Sequence, residues 1–196
     1  MDRNEHGQAP GLSLTLAWLR RRRVVVVVPL VAGLCLTAGL LAPERVVVGG
    51  GVVRTVLFAG MGVSMSTAVL LQPAFGVLER SFVRAGGERV LVLVEWALVT
   101  AAAAIWLWCT SGGPTAASWM LLLSGSAAAA VTWRSEAGWW APLSLGLGGI
   151  ALDAALPVDA VTGALAELGM VAPVVVAVAG ALVFLARGAE PGGGWS

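Results

Sequence analysis

Residues 20–42 read RRRRVVVVVPLVAGLCLTAGLLA. Four arginines end at Arg23, and an uncharged run opens at Val24 and lasts to Ala42. A bilayer core takes about 20 apolar residues in helical form, so this run has the length of one crossing. Guanidinium groups flanking a span favour the cytoplasmic side, which fixes the expected direction of entry. The competing reading of a cleaved leader fits poorly. A leader's apolar region is about 7–15 residues, this run is longer and has no small-x-small cut site, and Leu34 before Cys35 spoils a lipoprotein signal.

The same pattern recurs along the chain. Uncharged or nearly uncharged stretches predict further spans over about 55–74, 90–111, 115–133, 138–156 and 168–186. With 58% hydrophobic and 12% charged residues, the chain holds about half the charge of a globular protein. A soluble helix needs a polar face, and these stretches have none. The expected fold class is therefore all-α: a polytopic membrane protein with six transmembrane helices and both termini cytoplasmic, in the inner or plasma membrane. Residues 24–187 form the membrane domain, between a disordered polar tail over 1–11 and a flexible tail over 188–196.

Arginine placement sets this topology. Arg20, Arg21, Arg22 and Arg23, then Arg80, Arg84 and Arg89, then Arg134 and Arg187 all fall on one side. Arg45 and Arg54 fall on the other, with Glu44, Asp153, Asp159 and Glu167. Indole rings favour the headgroup level. Trp18, Trp133, Trp139 and Trp140 stand at inner ends, and Trp106, Trp108 and Trp119 at outer ends. Trp96 is the exception, a turn and a half inside the third span.

Two amphipathic segments flank the spans. Over 12–23, Leu12, Leu16 and Leu19 share a helical face, as do Leu14 and Trp18, ahead of the four arginines. This predicts an interfacial elbow helix anchored by Trp18 and Arg20–Arg23; the alternative is a charged flank that only sets orientation. Over 157–168, Pro157 suits a first helical turn, and Val158, Val161, Leu165 and Leu168 make a stripe. A short outer helix before the last span is expected, a plain connecting loop being the alternative. Small residues four apart (Gly60/Ser64, Gly62/Ser66, Ser124/Ala128, Ala177/Ala181) mark packing faces. Pro29, Pro142 and Pro173 lie near span ends, and Pro73 suits the end of the second span.

Chemistry is mostly excluded. The chain has no lysine, so no P-loop, which needs one to reach the phosphates. Its single histidine, His6, lies in the tail, so Ser124-Gly125-Ser126 has no base for a rhomboid-type protease. Cys35 and Cys109 fit no metal spacing and read as apolar filler. No enzyme, no metal, no cofactor and no nucleic-acid partner is expected. Glu95 is the one acid well inside a span, and such residues are functional candidates. Transport contact and simple structural pairing, for instance with Arg89, both stand open.

The segment Glu79–Arg89 carries five charges in eleven residues around Phe82-Val83 and Gly86-Gly87. It reads either as a solvated turn or as a helix docking on a soluble partner. An inner elbow, a charged loop after the second span and an outer helix before the sixth occur together in ABC-2-type permeases, and the order here resembles that architecture. Leu78-Glu79-Arg80 through Arg89-Val90-Leu91 is similar to the segment after the second span in permease-like proteins of actinobacterial type. Ser118–Gly149, with Trp133-Arg134 and Trp139-Trp140-Ala141-Pro142-Leu143, resembles their fourth-to-fifth-span region. The resemblance implies an export permease subunit that pairs with a second membrane subunit, as a homo- or heterodimer. A separate ATPase chain would dock on Glu79, Arg80, Phe82, Arg84, Glu88 and Arg89. A non-transporting accessory or scaffold subunit, and an ATP-independent channel or secondary transporter, are the alternatives.

Overall fold

The computed structural model describes residues 10–41, 45–48, 51–72, 86–111, 114–134, 137–156 and 160–188. Seven helices and one hairpin follow in chain order: α1 (Pro10–Leu41), β1 (Arg45–Val48), β2 (Gly51–Arg54), α2 (Thr55–Leu71), α3 (Gly86–Ser111), α4 (Thr115–Val131), α5 (Ala137–Ala155), α6 (Ala160–Leu168) and α7 (Val171–Arg187). The class is all-α, the two-stranded hairpin being the one departure among the described residues.

The expected elbow and first span are a single helix of 32 residues. The physical reason lies in the sequence. Leu, Ala and Arg are strong helix formers, and no glycine or proline falls between Leu12 and Val28. Pro10 opens the helix, where its missing N–H costs nothing, so α1 starts inside the stretch expected to be tail. Pro29 consequently sits in the helix interior, not near a helix end, and leaves the Val25 carbonyl without its usual donor.

The hairpin was not expected. Arg45 pairs with Arg54, Val46 with Val53, Val47 with Val52 and Val48 with Gly51, antiparallel. Valines on both sides of a Gly-Gly pair are a hairpin signal in plain view, hidden by reading the stretch only for its charges.

Among the described residues, two helices are long and apolar enough on their own to cross a membrane: Val24–Leu41 in α1 and Arg89–Ser111 in α3. A third candidate is the pair α6 and α7, bent by 84°. The bend falls at Gly169, whose φ of +60° suits a residue without a Cβ. Short apolar helices fill the second and fourth expected spans, Leu57–Leu71 and Thr115–Val131. The second stops early because Gln72 precedes Pro73 and is held extended, with ψ of 143°. In α5, Pro142, four glycines, two tryptophans and Asp153 dilute the apolar character.

Helix α4 is the hub. It packs against α2, α3, α5 and α7, with α6 near its start. A surrounded helix must be small-sided, and α4 buries Ala116, Ala117, Ser124, Gly125, Ala127 and Ala128. The peripheral helices turn apolar side chains outward instead, including Leu30 of α1, Leu98 and Ile105 of α3, Leu145 of α5 and Leu182 of α7. Outward Leu, Ile and Val around a sealed core is the arrangement of a membrane protein, with lipid as the outer solvent.

Candidate functional site

The interior polar groups cluster where α2 crosses α4. Gly60 and Ser64 face this crossing, as their spacing predicts. A Cβ on Gly60 would lie 3.1 Å from the Trp119 ring. Ser64 Oγ donates its proton toward Gly60 O at 2.8 Å and Met120 O at 3.0 Å, and accepts from Ser124 Oγ at 3.2 Å. Ser64, Thr67 and Ser124 are all fully buried. In a low-dielectric interior such groups need partners, and Thr67 Oγ1 finds Ser64 O at 3.1 Å. The two hydroxyls tie α2 to α4.

Gly62 and Ser66, one residue pair round the same helix, face α1 instead: Leu34 lies 3.5 Å from a Cβ built on Gly62. Trp119 departs from its expected place in the headgroup belt. It is buried, its Nε1–H donates to Leu57 O at 3.2 Å, and its ring fills the space over Gly149. With Leu57, Leu123, Ile150 and Leu165 it forms a small cluster beneath α6. Trp106 is half-exposed and donates to Cys35 O at 2.9 Å.

At the opposite end, three arginine-bearing segments converge. The Arg187 guanidinium stands over the Trp133 ring, 6.0 Å from its centroid. Arg89 lies against Gly188, where a Cβ would meet its guanidinium carbon at 2.6 Å. Gly188 therefore answers two demands, a φ of +74° and this close approach. The start of α3, the turn after α4 and the end of α7 thus share one end of the bundle.

Of the other expected site residues, Glu79, Arg80, Phe82 and Arg84 lie outside the described residues. Glu88 falls in the first turn of α3. Trp18, Arg20, Arg21, Arg22 and Arg23 are positions of α1. Glu95 is half-buried on α3, about 9 Å along the axis from Arg89 at 1.5 Å per residue, and it is engaged in an interaction.

One acid gains a role that its position in the sequence hid. Asp153, near the end of α5, is 1% exposed, and its Oδ1 accepts the Val161 N–H of α6 at 3.0 Å. A carboxylate here meets an otherwise unpaired donor at a helix start. Among the described residues no three His, Cys, Asp or Glu side chains come together to hold a metal ion. No family model, curated protein or solved structure matches the chain.

Proposed function

We infer that this chain is a six-span integral membrane subunit of an ABC-2-like export system, powered by a separate ATPase chain. The observation that supports the reading most is α6, a short helix turned 84° before α7. It sits at the bundle end remote from Arg89, Trp133 and Arg187. An outer amphipathic helix leading into the last span is what the resemblance to ABC-2-type permeases implies.

The hub arrangement favours a pathway shared between subunits. Helix α4 is surrounded by α2, α3, α5 and α7 and buries most of its own side chains, which favours a cargo route outside the centre of one chain. A second membrane subunit facing the outer surface would supply the other wall. The arginine-rich end, with the Glu79–Arg89 segment leading into α3, is the face offered to the ATPase.

Purification from native membranes under mild detergent tests the reading. An ATP-binding chain should co-purify in fixed ratio, and charge reversal at Arg80 and Arg84 should release it. Consistent recovery of the chain without any ATPase would overturn the assignment. The dense α4 core also favours a second reading, an accessory subunit that braces a transporter without carrying cargo. In that case transport by the isolated complex would persist when this chain is omitted.

A further inference from the structure

Two polar atoms on one face of α3 have no partner, and both are buried. Trp96 Nε1 and Thr100 Oγ1 make no hydrogen bond within the protein, and each residue is 3% exposed. They stand at i and i+4, so their side chains lie one above the other, with Cβ atoms about 6 Å apart. Buried donors are almost always satisfied, and each exception requires an explanation.

Thr100 has an easy alternative that it does not take. Thr37, Ser64, Ser66, Thr110 and Ser111 each donate to the carbonyl four residues back. Thr100 leaves the Trp96 carbonyl alone. Its hydroxyl is thereby free to meet something beyond its own helix. Trp96 is also the one tryptophan within the expected spans that the sequence placed away from both headgroup levels. It belongs to the buried cluster that includes Val27 and Val31 of α1, Leu70 of α2 and Val131 of α4. Thr100 is equally far from Arg89 and Ser111, the ends of the span, which puts its hydroxyl at mid-span and Trp96 one turn nearer the arginine end.

We propose that Trp96 and Thr100 form a binding site for a single neutral oxygen acceptor inside the bundle. The indole N–H and the threonine O–H both donate to it. The chemistry suits a water molecule or the carbonyl oxygen of a lipid or cargo molecule. It excludes a cation, since the indole offers only a donor, and an anion, whose charge is costly this far inside a bilayer. The proposal rests on α3 lying in the bilayer and not on the ATPase partnership, so failure of the co-purification leaves it intact.

The test is the indole N–H resonance of Trp96 in the full-length, 15N-tryptophan-labelled protein in lipid nanodiscs. Trp96→Phe identifies the signal. Should that variant not fold, Trp96 is the one tryptophan preceded by glutamate, so carbonyl-labelled glutamate identifies it instead. A hydrogen-bonded shift with magnetisation transfer from water indicates bound water. A hydrogen-bonded shift without that transfer indicates a carbonyl. In either case Thr100→Val, which keeps the shape and deletes the hydroxyl, should move the resonance. A Trp96 indole at the unbonded position overturns the proposal. So does a bonded one that Thr100→Val leaves unmoved.

Discussion

Gly180 holds the place of its absent Cβ against the carbonyl oxygen of Gly125, so α4 and α7 meet main chain to main chain. From the other side, a Cβ on Gly125 would lie 2.7 Å from Val176 O and 2.8 Å from the Ala177 Cα. Lipid tails are as apolar as leucine, so helix association in a membrane depends on such close packing.

Gly180→Ala should therefore be costly. The added methyl meets backbone, which cannot swing aside, and overpacking of this kind costs about 1–3 kcal/mol. Gly33→Ala and Gly148→Ala are the controls, because a Cβ at either position meets nothing within 4 Å. Removing a helical glycine there should be neutral or mildly stabilising, by up to about 1 kcal/mol. Thermal unfolding of the three variants in one detergent gives the comparison. Equal stability of Gly180→Ala and Gly148→Ala would refute the close crossing.

The Ser64–Ser124 tie makes an asymmetric prediction. Ser64→Ala removes the contact with Met120 O and also strands the Ser124 hydroxyl. Ser124→Ala removes one long bond and leaves Ser64 with two carbonyl acceptors. Interhelical hydrogen bonds in membranes are worth about 0.6 kcal/mol on average and about 1.7 at most. Ser64→Ala should thus lose more than Ser124→Ala, and the double variant should lose less than the sum. Strict additivity in a double-mutant cycle would show that the two hydroxyls do not interact.

What the sequence made legible follows from which physical signals are local. The stop of α2 was readable because Pro73 constrains the residue before it, whereas the start of α1 at Pro10 fell in a stretch expected to be tail and the bend at Gly169 was passed over. The Gly60/Ser64 and Ser124/Ala128 pairs could be marked as packing faces, since spacing on one helix is enough to define a face. Their partners could not be named, because the α2–α4 crossing joins residues far apart in the chain. The burial of Trp119 went unread for the same reason: an indole near a helix end looks alike whether headgroups or Leu57 O receive its proton. Asp153 read as an outer-side acid, and only the fold brings Val161 over it. The hairpin was missed in spite of a local signal, Val48-Gly49-Gly50-Gly51-Val52.

Asp153 should govern the order of α6. Its Oδ1 holds the Val161 N–H, and removal of a helix-start acceptor costs about 1 kcal/mol. Asp153→Ala should raise amide exchange over 160–168 while exchange in α4 stays slow. Asp153→Asn keeps an acceptor oxygen and should recover most of the protection. If Asp153→Ala left α6 exchange unchanged, Leu165, buried in the cluster with Trp119, would be holding the helix without help from the acid.

The Arg187–Trp133 stack bears on the number of crossings. At 6.0 Å the guanidinium and indole share one end of the bundle, and the chain between them runs through α5, α6 and α7. If α5 and α7 each cross, the chain returns to the face it left; a single crossing between them would not return it. Cysteine labelling from either side of sealed vesicles reads this directly. Cys109 is exposed and should first become serine, whereas buried Cys35 can remain. Cysteines replacing Arg134 and Arg187 should react from the same side. Those replacing Arg54 and Glu167 should react only from the other, since β2 and α6 belong to the far end. Labelling of the Arg134 and Arg187 positions from opposite faces would leave α5 and α7 making a single crossing between them, and the six-span reading would fall with it.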